Sequence, residues 1–129
     1  MKILGIDYGK AKIGLAIGEG KLSEPLKVVR VNSFDDAIEK IEKEILTIKP
    51  EKIVVGISEG AMGTESKKFS LVLTGKTAVP VETLDETLST RDAQELSKLA
   101  GINRKKRHQM EDAFAASVML QSYLDDNNV

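Results

Sequence analysis

The six residues Lys52–Ile57, reading Lys-Ile-Val-Val-Gly-Ile, constrain this chain more than any other segment. Apolar residues follow one another almost without interruption, where a half-exposed strand would alternate. A strand of that kind is covered on both faces of its sheet, so the rest of the chain has to supply a layer on each side. At 129 residues, with 41% hydrophobic and 30% charged, it is long enough to do so around one core and reads as a single domain, 1–129.

The segments before this strand show two different periods. Lys2–Asp7 and Lys12–Gly18 read as strands joined by a turn at Tyr8-Gly9-Lys10. A second turn at Gly18-Glu19-Gly20-Lys21 leads to a third strand, Leu26–Val31, with Pro25 at its start, where a missing N–H is tolerated. Short turns make these three an antiparallel meander. The period then changes. Ser33 is placed to cap a helix over Phe34–Leu46, and Ala37, Ile38, Ile41, Ile45 and Ile48 form its apolar stripe until Pro50 stops it.

After the buried strand comes a Gly-containing loop, Ser58–Gly63. A second helix is expected from a Thr64 cap to about Thr74, with Gly75 as its stop. Val79–Leu84 reads as a fifth strand. Ser89 or Thr90 opens a third helix that Gly101 ends, and a fourth helix covers about Gln109–Leu124. The order β-β-β-α-β-α-β-α-α predicts a mixed five-stranded α/β sheet, three antiparallel strands followed by βα units, with helices on both faces.

Carboxylates fall at telling places in this plan. Asp7 ends the first strand, and Gly9 and Gly14 after it allow close backbone approach. Asp85 and Glu86 close the fifth strand, at the end where functional groups of open α/β sheets collect. Asp112 opens a helix that is apolar almost all round, and its neighbours at i+3, i+4 and i+7 are Ala115, Ala116 and Met119. Each position has an ordinary explanation: a turn residue, a solvated strand end, a helix-start acid meeting first-turn amides. Together they describe acidic groups converging on one point, where mutual repulsion calls for a cation. Carboxylate and water ligands suit a hard divalent ion, Mg²⁺ or Mn²⁺. With no cysteine and a lone histidine, His108, the chain offers no zinc set. Such a cluster serves metal-dependent phosphoryl transfer or nuclease chemistry. Alternation allows only one of Asp85 and Glu86 to be a direct ligand, and sequence leaves that choice open.

Net charge is −1, from 19 basic and 20 acidic residues, so any nucleic-acid surface has to be a local patch. The dense candidate is Arg104-Lys105-Lys106-Arg107, just before Asp112 in sequence, with Lys10, Lys12 and Arg91 as candidate supplements. Thr74-Gly75-Lys76-Thr77 has the look of a P-loop end. It lacks the upstream glycine, and it has a helix before and a strand after, the reverse of that motif. No apolar run reaches the ~18 residues of a membrane span, and no signal-peptide pattern precedes Lys2, so a cytoplasmic domain is expected.

The segments Ile3-Leu4-Gly5-Ile6-Asp7-Tyr8-Gly9, Ile13-Gly14-Leu15-Ala16, Ile53-Val54-Val55-Gly56, Asp85-Glu86-Thr87-Leu88-Ser89-Thr90 and Asp112-Ala113-Phe114-Ala115-Ala116 resemble the motifs of the YqgF/RuvX family. These are Holliday-junction-resolvase-like nucleases, also described as pre-16S rRNA nucleases. The resemblance runs from Met1 to about Tyr123. It implies a ribonuclease H-like fold, a cytoplasmic location and a role at the 5′ end of 16S rRNA. The family's acidic positions fall on Asp7, on the Asp85-Glu86 pair and on Asp112; Asp7, Glu86 and Asp112 are the candidate metal ligands, with the choice between Asp85 and Glu86 open. The chain departs from the family at Thr87, where an Arg is usual, and at Ser58, where a Pro is usual. The expected partner is structured RNA, pre-16S rRNA, with branched DNA as the alternative substrate. A non-catalytic nucleic-acid-binding module of the same fold is the third reading. An ATP-binding half of the actin or sugar-kinase type needs a second such domain.

Overall fold

The computed structural model describes residues 1–57, 61–85 and 110–127. Five strands, β1 (Lys2–Asp7), β2 (Lys12–Glu19), β3 (Leu22–Arg30), β4 (Lys52–Ile57) and β5 (Val81–Asp85), form one sheet in the order β3-β2-β1-β4-β5. The pairs β1–β2 and β2–β3 are antiparallel, while β1–β4 and β4–β5 are parallel. Helices α1 (Phe34–Ile48) and α2 (Ala61–Lys76) cover one face, and α3 (Glu111–Asn127) covers the other. This is the mixed five-stranded sheet, layered on both sides, that the apolar β4 requires: Ile53, Val54 and Val55 are wholly buried, as expected.

Alternation assigns each strand's residues to a face. Leu4, Ile6 and Tyr8 of the first strand segment join Ile13, Leu15, Ile53 and Val55 under α1 and α2. Ile3, Ala16 and Val54 pack instead on Ala116, Met119, Leu120, Tyr123 and Leu124 of α3. Burying each large side chain in these layers stabilises the fold by ~1.5–3 kcal/mol.

Helix α1 begins as expected. Ser33 accepts a hydrogen bond from the Asp36 N–H, and the Asp36 carboxylate in turn accepts from the Asn32 N–H at 2.9 Å. That amide first, and then Lys40, hold the Asp36 carboxyl below its ordinary pKa.

Several ends shift slightly, with α1 running on to Ile48, β2 to Glu19 and α3 over Glu111–Asn127, and three elements differ for a physical reason. β3 starts at Leu22, so Pro25 lies inside the strand. It is tolerated there because β3 is at the sheet edge and because the register shifts between Leu15 and Ala16, whose partners are Lys27 and Pro25. Helix α2 starts at Ala61 and runs through Gly75, so Thr64 is no cap and Gly75 no stop. Its buried stripe includes Ser66 and Ser70 beside Phe69 and Leu73, which blurs the apolar period. β5 begins at Val81, because a turn in which the Val79 N–H donates to Thr77 Oγ1 precedes it. The helix expected between Ser89 and Gly101 lies outside the described residues. No helix among the described residues is long and apolar enough to cross a membrane.

Candidate active site

Asp7 closes β1 on the face that α3 covers. The period of two puts it with Ile3 and Gly5, and a Cβ built on Gly5 would touch Leu120 of α3. In the sheet Asp7 has two glycines as partners, Gly14 on β2 and Gly56 on β4. The first turn of α3 descends onto that bare stretch. A Cβ on Gly14 would lie 1.9 Å from the Asp112 carbonyl oxygen and 2.7 Å from the Ala113 nitrogen. Only a residue without a side chain lets the helix start come so near the sheet. Asp112 is thereby set over the strand residue paired with Asp7, on Asp7's side of the sheet.

The side chain of Asp112 is half-buried, although its apolar helix suggests full burial. Lys12 at the start of β2 meets it, Nζ to Oδ2 3.6 Å. Lys12 shares the α3 face with Gly14, two residues further along the strand. The turn between Asp7 and Lys12 is tight, since a Cβ on Gly9 would lie 2.5 Å from the Lys12 carbonyl oxygen. Thus one turn delivers a carboxylate at its beginning and an ammonium at its end to the same corner of the molecule.

Two polar clusters fix how α3 lies across the sheet. Near the β2–β3 turn, Ser23 Oγ donates to the Ser117 carbonyl at 2.6 Å. The Ser23 N–H donates to Gln121 Oε1 at 2.9 Å, and Gln121 Nε2 donates to the Lys21 carbonyl at 2.8 Å. At the far end, Lys52 Nζ donates to Tyr123 Oη at 2.7 Å, and Tyr123 Oη donates to Glu82 Oε2 at 2.8 Å. Lys52 also lies 3.1 Å from Glu82. The hydrogen bond with Tyr123, and after it the hydrogen bond between the two charged groups, raise the pKa of Lys52 and lower that of Glu82. Both clusters hold α3 at points away from Asp112 and so fix where its first turn ends up.

On the opposite face Tyr8, next to Asp7, packs against Phe34 and Phe69 and donates to Glu65 Oε1 at 3.0 Å. Burial first, then this bond and the Glu65 charge, push its hydroxyl up to about 12. The end of β1 is thereby anchored to both α1 and α2.

Asp85 is the last residue of β5, its main chain paired with Ile57. Glu82 and Leu84 both meet α3, which puts two even-numbered positions of β5 on that face. Lys10 is exposed in the β1–β2 turn. Glu86, Arg91, Arg104, Lys105, Lys106, Arg107 and His108 lie outside the described residues. Of the expected site residues, the structure therefore brings Asp7, Lys12 and Asp112 to one corner. Among the described residues no group of three or more His, Cys, Asp or Glu is arranged to hold a metal ion. The pairing of Lys12 with Asp112 is new to the structure. Half of its signal is in the sequence, because alternation puts Lys12 and Gly14 on one face. The other half, the approach of α3, is not.

A mixed sheet in this strand order, covered by helices on both faces, is a ribonuclease H-like fold. Solved structures agree on the fold. The Fowlpox virus resolvase in complex with substrate Holliday junction DNA superimposes with a TM-score of 0.68 at 12% identity, covering 98% of each chain. T. thermophilus RuvC in complex with a Holliday junction substrate gives 0.61 at 18% identity, covering 98% of this chain and 96% of that one. The family described as "RuvX: Holliday junction resolvase" matches residues 1–126, and the chain belongs to it. A relative from Syntrophus aciditrophicus, named "Putative pre-16S rRNA nuclease", is 36% identical over 97% of this chain and 89% of its own length. One of the same name from Listeria monocytogenes is 31% identical over 99% of this chain and 100% of its own.

Proposed function

We propose that this chain is a cytoplasmic, divalent-metal-dependent nuclease that acts on structured RNA and trims the 5′ end of pre-16S rRNA. The observation that carries this reading is the descent of Asp112 onto Gly14, beside Asp7. Two carboxylates, one from a strand and one from a helix, share one corner at the C-terminal end of β1, where a hard cation fits their oxygen donors. Asp7, Asp112 and Glu86 are the ligands in this reading. Glu86 is preferred to Asp85 because Glu82 and Leu84 set the phase of the α3-facing side. Asp85 acts beside them without binding the ion directly. The donor set is carboxylate throughout, which suits Mg²⁺ or Mn²⁺ and disfavours softer ions.

When bound, such an ion activates water and stabilises the leaving oxygen of a phosphodiester. The residues of this chain supply the rest. Asp7 and Asp112 hold fixed negative charge at the site, made rigid by the Tyr8 anchor and the two polar clusters of α3. Arg104, Lys105, Lys106, Arg107 and Arg91, with Lys10, contact phosphates and position the strand without reading its sequence. Substrate identity comes from the relatives' names, and the family description makes branched DNA the second substrate to assay.

The test is cleavage of a precursor RNA carrying the 16S 5′ leader, and of a four-way DNA junction, by the wild type and by Asp7→Asn. The substitution is nearly isosteric and removes one anionic ligand. Cleavage is expected to require Mg²⁺ or Mn²⁺ and to fall at least ~10²-fold in the variant, the scale of removing one strong transition-state interaction. Cleavage by both proteins at equal rates, or in excess chelator, would sink this reading. Cleavage of the junction alone would reassign the substrate.

A further inference from the structure

The contact between Lys12 and Asp112 bears on how this site takes up its ion. We infer that Lys12 is a built-in counter-ion, whose ammonium occupies the charge position of the metal at Asp112 and has to yield when metal enters. This deepens the proposed nuclease reading and rests on its assignment of Asp112 as a ligand.

Three observations converge on it. The Lys12 ammonium lies 3.6 Å from Asp112 Oδ2, near enough for strong charge interaction but longer than a good hydrogen bond. Both side chains keep about a third of their surface exposed, 37% and 31%, so an ion from solvent can reach the carboxylate and the ammonium has somewhere to go. The backbone beneath them is fixed. Gly14 is pressed under the Asp112 carbonyl and Gly9 under that of Lys12, so main-chain geometry brings the two residues within side-chain reach of each other. A salt bridge this exposed adds little to stability. Its effect at this corner is instead on the field that an incoming cation meets.

A single positive charge within a few ångströms of a divalent ion opposes its binding. In the empty site the ammonium offsets the charge of Asp112 and limits metal affinity. A phosphate arriving at the same corner would draw the ammonium off the carboxylate, so that metal loading and substrate arrival favour one another, as linkage demands.

The experiment measures Mn²⁺ binding to nucleic-acid-free protein by calorimetry, with free Mn²⁺ followed by electron paramagnetic resonance, and needs no turnover. The proteins are the wild type, Lys12→Met, Lys12→Arg and Asp112→Asn, each checked for folding by its melting curve. Lys12→Met keeps the length and apolar stem and loses only the charge. It is expected to bind Mn²⁺ about three- to tenfold more tightly than the wild type, with the larger gain at low salt. Lys12→Arg is expected to match the wild type. A merely structural lysine has no route to tighter metal binding, so unchanged or weaker binding in Lys12→Met overturns the inference. If Asp112→Asn nonetheless loses Mn²⁺, the metal site itself stands and only the role of Lys12 is refuted. If Asp112→Asn binds Mn²⁺ like the wild type, both readings fall together.

Discussion

Replacing Gly14 with Ala adds one methyl group, and its surroundings are crowded. The new Cβ would lie 1.9 Å from the Asp112 carbonyl oxygen, 2.2 Å from its carbonyl carbon and 2.7 Å from the Ala113 nitrogen. All three are helix backbone, with no flexible side chain to swing aside. Ordinary contact begins near 3.4 Å, so the first turn of α3 has to retreat by about 1.5 Å or β2 has to bow away from it. Overpacking of this kind costs ~1–3 kcal/mol. The rest of α3 remains tied down through Ser117, Gln121 and Tyr123, so the helix tilts about those points and the displacement concentrates at Asp112. A misplacement of ~1 Å at a reacting centre costs on the order of 10²-fold in rate. Gly14→Ala is therefore expected to fold, to melt several degrees lower, and to lose about two orders of magnitude in cleavage.

Gly18→Ala is the matched control. It lies on the same strand and faces the same helix, but its Cβ would meet the side-chain ends of Leu120 and Leu124 at 3.1 Å. Those side chains can move by a few tenths of an ångström, and they lie far along α3 from Asp112. Cleavage should stay within about twofold of wild type, the scale of a volume change that repacking absorbs. Circular dichroism melts and single-turnover cleavage on both variants decide the matter. A folded Gly14→Ala protein with wild-type activity and wild-type Mn²⁺ affinity would show that the close approach of helix and strand does not position Asp112.

Three further outcomes are expected. Replacing Arg104, Lys105, Lys106 and Arg107 together by Ala should weaken RNA binding and lower the slope of log affinity against log salt by roughly 0.7–0.9 for each phosphate no longer neutralised, measured by filter binding in chelator. Tyr8 keeps its proton to about pH 12 when folded but only to about 10 when unfolded, so its share of stability is whole below pH 10 and is lost as pH rises from 10 to 12. Denaturant titrations should show a smaller fall in Tyr8→Phe than in the wild type, the share of Lys52 remaining in both. Glu86→Gln should reduce Mn²⁺ affinity and cleavage more than Asp85→Asn does, and the reverse order in calorimetry and kinetics would show that β5 changes phase at its end.

How much of this fold is legible in the sequence depends on whether a signal is local. The sheet can be read because its strands announce themselves one at a time. Lys52–Ile57 is apolar throughout, and Lys2–Asp7 and Lys12–Glu19 are each bounded by glycine turns. The start of α1 can be read because Ser33 and Asp36 carry the whole capping interaction within four residues. β3 reads too short because Pro25 looks like a beginning when only its missing N–H is considered. The strand accommodates it through a register shift against β2 and a place at the sheet edge, neither of which a single segment reveals. Helix α2 reads too short for a related reason: Thr64 looks like a cap and Gly75 like a stop when each is considered alone, yet the helix runs from Ala61 through both to Lys76.

The site divides along the same line. That Asp7 and Asp112 occupy special places follows from what flanks each of them: a strand that stops in a glycine turn, and a helix that reads apolar almost all round after its first acid. That Lys12 is partnered to Asp112 does not, because it depends on how far α3 sinks toward β2. That depth is set where the strands carry no side chain: Gly14 lies under the Asp112 carbonyl and the Ala113 nitrogen, and Gly5 under the Ala116 carbonyl. The same small residues explain why the acid at the head of an apolar helix is only half-buried. They let the helix body sink onto the sheet while the first turn projects over the Asp7–Gly14 pair, where the Asp112 side chain keeps 31% of its surface exposed. An aspartate buried deeper would have been held by protein partners alone, and one further out would have lost Asp7. The approach of bare strand backbone to the helix main chain thus sets the depth at which Asp112 is both fixed in place and half-open to solvent.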